Sequence, residues 1–146
     1  METPRKALTA VKTYARPDSW GQPYWSFIHI SSFFVYEKPN KPTPTEIKVT
    51  RLFYRYILPA LLPCEGCRDE YIKFMVPKID FMLKCRMNVI LTLYFLHENV
   101  NRRLGKKGIS PEQFFDKYES CKAKYCNSDS KFYNKRKCRV HKTRKF

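Results

Sequence analysis

The chain has 146 residues, enough for one ordinary domain with a real core. Hydrophobic residues make up 43% and aromatics 16%, which excludes a disordered polypeptide, while a formal net charge of +16 favours nucleic acid, anionic membranes or acidic proteins as contacts. The longest apolar stretch, Val89 to Leu96, is interrupted by Thr92 and falls far short of the roughly 20 residues of a membrane span.

The N-terminal segment up to Ser19 has a basic start but no uninterrupted apolar core, so no secretion signal is expected there. With only 4 Gly and recurrent Leu, Ile, Phe, Met and Tyr, the chain favours helices over a glycine-punctuated sheet. A first helix is expected from Asp18 or Ser19 through the aromatic stretch to Tyr36. Trp25, Ile28, His29 and Ser32 fall on one of its faces. The prolines at 39, 42 and 44 then make a connecting loop.

A second helix is expected from a cap at Thr45 to about Leu62, with Pro59 kinking it or shifting its last turn. A third runs from about Cys64 to Met75 and ends at Val76-Pro77. The fourth extends from near Lys78 to Arg103, carries Ile90, His97, Asn101 and Leu104 on one stripe, and stops at Gly105. A short last helix follows the Ser110-Pro111-Glu112-Gln113 start and reaches about Tyr118. From Ser120 the composition changes: residues 120–146 hold ten Lys and Arg against the single acid Asp129, with three cysteines. The fold expected is all-α, a four-helix bundle with a short fifth helix and a basic C-terminal extension. Its divisions are an N-terminal extension over 1–17, a helical domain over 18–119 and a cysteine-containing tail over 120–146.

Six cysteines, at 64, 67, 85, 121, 126 and 138, in a chain without an evident secretion signal suggest catalytic or metal-binding thiols rather than a static scaffold. Cys64-Glu65-Gly66-Cys67 is the sharpest local feature. Two cysteines three apart at a helix start share a side, and the positive helix end favours thiolate there. The cysteines alone leave redox exchange, a zinc site and inert thiols open, although zinc normally wants a second ligand pair and none follows. His97 and Asn101, one turn apart, either meet one ligand or are an ordinary buried His and a surface Asn. Trp20 and Trp25 read either as core aromatics or as a wall for a planar cofactor.

Three segments in order carry a more specific pattern: Trp20-Gly21-Gln22-Pro23-Tyr24-Trp25-Ser26-Phe27-Ile28-His29, Leu62-Pro63-Cys64-Glu65-Gly66-Cys67-Arg68, and His97-Glu98-Asn99-Val100-Asn101-Arg102-Arg103-Leu104-Gly105-Lys106. Together they resemble the Erv/ALR family of FAD-linked sulfhydryl oxidases, especially its small viral members, over about residues 18–119. The resemblance implies a thiol oxidase that binds FAD between its helices, commonly as a homodimer, and passes electrons from protein dithiols to oxygen, giving hydrogen peroxide. It places Cys64 as the interchange cysteine and Cys67 beside the flavin. Trp25 and His29 would contact the flavin; His97 and Asn101 would line the adenine and ribose end, with Lys106 near the phosphates or adenosine. Trp20, Gly21, Tyr36, Leu104 and Tyr118 complete the implied cofactor set, Tyr118 as an aromatic packed on the adenine.

Two departures stand out: Glu98 occupies a position that is usually Asn, and a structural cysteine usual after the Leu-Gly-Lys segment is absent. Arg68 either helps to hold thiolate beside the pair or is a solvated surface arginine. Cys121 and Cys126 form either a shuttle disulfide on a flexible arm or a local staple, and Cys85 is expected as a single thiol within the fourth helix. Substrates implied are protein dithiols, among them virion or assembly proteins, with activity in host cytoplasm and the virion as a second location. A nonspecific nucleic-acid contact through the basic tail, or a zinc-stapled interaction domain, is the competing reading.

Overall fold

The computed structural model describes residues 16–121. Residues 1–15 of the N-terminal extension and residues 122–146 of the tail, with Cys126 and Cys138, lie outside them. Seven α-helices occur among the described residues: α1 (Pro17–Ser32), α2 (Pro44–Leu52), α3 (Leu58–Ala60), α4 (Glu65–Met75), α5 (Ile79–Met82), α6 (Arg86–Arg103) and α7 (Pro111–Glu119). A π-helical segment, Phe53–Ile57, joins α2 to α3. The chain divides into two compact units, one ending at Gly108 and the other beginning at Ile109. The first unit holds α1 to α6; the second holds α7.

In the first unit α1 packs on α6, α3 on α4, and α5 on α6. Their shared core includes Ile28, Tyr54, Leu58, Tyr71, Met75, Met82, Val89 and Leu93. The expected stripe of α1 faces inward, with Ile28, His29 and Ser32 all buried. In the second unit Phe114 and Tyr118, one turn apart on α7, are buried and pack ring to ring at 4.9 Å.

The first helix ends at Ser32 rather than Tyr36. The Ser31 and Ser32 hydroxyls bond back to the Ile28 and His29 carbonyls, competing with continuation of the helix. Tyr36 then adopts a left-handed backbone, φ 65°, costly for a residue with a Cβ. Its hydroxyl donates to the Leu83 carbonyl at 3.0 Å, and its own carbonyl accepts from Arg86. The cap of α2 is Thr43, not Thr45: its hydroxyl accepts from Glu46 N while Glu46 returns a bond to Thr43 N, a reciprocal box that also fixes Pro44 at the first helical position.

The expected fourth helix is interrupted. A 3-10 turn, Val76–Lys78, leads into α5, and Cys85 is extended, φ −160°, at the cap position of α6. It is therefore not inside a helix. Two long-range bonds and a local one hold the break: Tyr36 occupies the Leu83 carbonyl, Arg86 N donates to Pro39 O at 2.8 Å, and Asn88 donates across the break to Phe81 O at 2.9 Å.

Candidate functional site

Cys64 is the N-cap of α4 and is joined to Cys67 by a disulfide, with Cα atoms 5.2 Å apart. The extended backbone of Cys64 turns its sulfur back over the first turn, where Cys67 N–H donates to Cys64 Sγ at 3.2 Å. A helix N-terminus offers unsatisfied N–H groups and positive potential, so negative charge on Cys64 sulfur is favoured there. Both cysteines are partly exposed, as exchange with an outside thiol requires.

The redox helix is tied to the helix before it through unusual carbonyls. Leu58 N–H bonds Phe53 O in π register, and Pro59 has no N–H, so the Tyr54 carbonyl loses its intrahelical donors. The Tyr71 hydroxyl on α4 donates to it at 2.6 Å. Tyr24 on α1 donates to Leu58 O at 2.8 Å. Burial pushes the Tyr24 and Tyr54 hydroxyls up to about 12, and raises Tyr71 as well, so all three stay protonated donors. Arg68 donates from Nε to Pro59 O at 3.1 Å and from Nη2 to Leu62 O at 3.3 Å. It is neither a freely solvated arginine nor spent on sulfur; its hydrogen bonds run to main-chain carbonyls. Sequence reading missed Tyr24, Tyr54 and Tyr71 altogether, although Pro59 marked the place where carbonyls would need outside donors.

A second constellation joins α1 to α6. Trp25 stacks on His97, ring centroids 4.0 Å apart and planes within 7°, and His29 lies beside both, 5.6 Å from Trp25 and 5.1 Å from His97. His29 Nε2 and His97 Nδ1 share a hydrogen bond of 2.9 Å, the donor being set by tautomer. Three near-parallel heteroaromatic planes thus stand together where the two helices pack.

One turn beyond His97, Asn101 Nδ2 donates to Glu98 Oε1 at 3.2 Å. A carboxylate only accepts, so this bond aims the amide nitrogen at Glu98 and leaves Oδ1 facing elsewhere. The end of α6 is a Schellman turn: Gly105 takes φ 64°, its N–H bonds Arg102 O, and Lys106 N bonds Asn101 O at 2.8 Å. Leu104 and Lys106 are exposed on that turn. Glu98 lies so close to Gly108 that a Cβ added there would sit 1.8 Å from Oε2.

Of the remaining expected cofactor residues, Trp20 packs edge-on against Tyr24 at 5.8 Å near the start of α1, and Gly21 borders open space. Tyr36 is a core residue with its hydroxyl engaged by Leu83. Tyr118 belongs to the second unit, where Cys121 is an exposed free thiol. Cys126 falls outside the described residues. Among those residues no cluster of three or more His, Cys, Asp or Glu is set to hold a metal, and no helix is long and apolar enough to cross a membrane.

Comparison with known proteins agrees with this geometry. The profile of the Erv1 / Alr family matches residues 22–120. An FAD-linked sulfhydryl oxidase of African swine fever virus (isolate Pig/Kenya/KEN-50/1950) is 28% identical over 102 residues, 68% of this chain and 80% of the relative. The 096R protein of Invertebrate iridescent virus 3, named for the same activity, is 25% identical over 105 residues, 70% of this chain and 67% of the relative. The crystal structure of the yeast Erv1 core superposes with a TM-score of 0.62 at 17% identity, covering 72% of this chain and 85% of that one, a likeness of fold. With the family profile spanning both the disulfide at the head of α4 and the ring stack between α1 and α6, the chain belongs to the Erv1 / Alr family.

Proposed function

We infer that the chain is an FAD-linked sulfhydryl oxidase that converts protein dithiols to disulfides, with Cys64 and Cys67 as its redox pair. The observation that carries the assignment is their disulfide at the N-terminus of α4, with Cys67 N–H on Cys64 Sγ. A substrate thiolate attacks Cys64 Sγ, the Cys64–Cys67 bond breaks, and Cys67 leaves as thiolate. The second substrate thiolate attacks the substrate sulfur of the mixed disulfide and expels Cys64. The N–H aimed at Cys64 Sγ stabilises this leaving thiolate, and better leaving groups exchange faster. The substrate has then lost two electrons and two protons, and Cys64 and Cys67 are both reduced. Bound FAD supplies a two-electron acceptor whose electrons pass on to oxygen, giving hydrogen peroxide.

The residues fit that cofactor. Trp25, His29 and His97 would hold the planar ring systems, while Asn101 and Lys106 offer an amide and a cation to the hydroxyls and phosphates of the linker. Trp20, Gly21 and Leu104 would border the site from the start of α1 and the end of α6. Tyr36 is better read as core support.

A homodimer is supported by the apolar surface that α1 and the α2 to π segment leave exposed, with Phe27 55%, Val49 59% and Leu52 51% accessible. The viral relatives support a viral setting, with action in host cytoplasm or in the virion on virion or assembly proteins. A shuttle through Cys121 and Cys126 agrees with the exposure of Cys121.

The test is direct. Purified protein should show flavin absorbance, release FAD on denaturation, and generate peroxide from dithiothreitol in air. Cys64→Ser and Cys67→Ser should each keep the flavin and lose turnover. A colourless folded protein that neither binds added FAD nor oxidises thiols would refute the assignment.

A further inference from the structure

We propose that Arg68 is a positioning residue of the redox pair, a clamp that keeps Cys64 at the head of α4 when the disulfide is open; this rests on the reading of Cys64 and Cys67 as the redox pair. Pro59 O would ordinarily accept from the residue four positions on, but that residue is Pro63, which has no N–H. Leu62 N–H closes on Pro59 O at 3.3 Å instead; Arg68 adds a second donor to that oxygen from Nε, and with Nη2 it also takes Leu62 O, the carbonyl just before the Pro63-Cys64 peptide. Its main-chain N–H donates to Cys64 O at 3.0 Å, closing the first turn of α4. One residue thus holds both ends of the segment that delivers Cys64: side chain on 59 and 62, main chain on 64. The positive guanidinium also meets the negative end of α3.

In the oxidised protein the Cys64–Cys67 bond itself restrains this segment. Once a substrate has reduced the pair, that restraint is gone: the Arg68 side chain then holds the segment leading to Cys64, while main-chain N–H groups on Cys64 Sγ and Cys64 O hold the first turn itself. Restraint keeps the effective concentration of one thiol at the other high, so the pair recloses readily. Releasing the clamp shifts the equilibrium toward the dithiol.

The measurement is an anaerobic glutathione titration of the full-length FAD-loaded protein, in which pair disulfide plus two glutathione thiols exchange for the dithiol plus glutathione disulfide. Acid quenching, alkylation and mass spectrometry of the peptide holding Cys64 and Cys67 separate this pair from the other four cysteines. Arg68→Met should lower the equilibrium constant for the disulfide about tenfold, a rise in potential of about 30 mV. Arg68→Lys keeps the charge and the apolar stem but cannot fork to two carbonyls, so it should fold readily and still lose at least about threefold. Arg86→Met removes the same kind of bonds, to Val35 O and Tyr36 O, elsewhere in the unit. It should lower the melting temperature and leave the redox equilibrium at its wild-type value.

Wild-type values in Arg68→Met, full recovery in Arg68→Lys, or an equal shift in Arg86→Met would each overturn the clamp. The second would mean that charge acts alone, and the third that general loosening suffices. A wild-type pair that does not titrate at all would remove the redox assignment and the clamp with it.

Discussion

Tyr71→Phe removes one oxygen and leaves the ring, so its cost isolates the bond to the Tyr54 carbonyl. Both residues are buried, with Tyr71 5% and Tyr54 0% accessible, and the bond is 2.6 Å long. Stranding a buried carbonyl costs about 1–3 kcal/mol. With a urea slope of about 2 kcal/mol/M, a 2 kcal/mol loss moves the unfolding midpoint down by about 1 M. The carbonyl needs this outside donor because Pro59 brings no N–H and Leu58 N–H is spent on Phe53 O. In a Pro59→Ala background a main-chain N–H becomes available, whether the segment keeps its π register or relaxes to α. The same Tyr71→Phe change should then cost about 1 kcal/mol less. Urea unfolding of the four proteins, followed by helix circular dichroism at one fixed FAD concentration, gives the cycle. Costs in the two backgrounds that agree within about 0.5 kcal/mol would refute the account of the orphaned carbonyl.

Gly108→Ala forces Glu98 to move, because the new Cβ would lie 1.8 Å from Oε2 and the carboxylate is the flexible end of its side chain. Stability should change by less than about 1 kcal/mol, while the FAD dissociation constant, read by flavin fluorescence, weakens about three- to tenfold as Asn101 loses the partner that orients it. Adding Gly108→Ala to Glu98→Ala should weaken binding no further; additive losses would exclude a shared cause. Alkaline unfolding provides a third check. Burial raises Tyr24 and Tyr54 from 10.0 to about 12 and also raises Tyr71, so the stability these protonated hydroxyls carry is intact below pH 10 and is lost as pH climbs toward 12. Tyrosinate absorbance from these three should therefore appear together with helix loss in this window, and ionisation well below it in a folded protein would contradict their burial.

Local chemistry made the helices readable. Ser110 with Gln113, Gly105 after Arg103, and Cys64 at the head of α4 are stop and start features whose partners lie within five residues, so sequence alone placed those ends. The shared face of Trp25, Ile28, His29 and Ser32 followed from helical period; spacing put Cys64 and Cys67 on one side of a helix start, and the family resemblance, not spacing, marked them as the redox pair. The break between α5 and α6 and the role of Tyr71 could not be read that way. Each depends on a bond across a long stretch of chain: Tyr36 to Leu83, Arg86 to Val35 and Tyr36, Tyr71 to Tyr54. Pro59 announced that carbonyls would lack donors, but which hydroxyl or guanidinium supplied them was decided only when α1, α3 and α4 packed. Likewise His97 is an ordinary helical residue until α1 brings Trp25 to 4.0 Å from its ring. Period and capping are written in neighbouring residues; the pairing of an unsatisfied group with its distant partner exists only in the folded core, where water no longer competes for it.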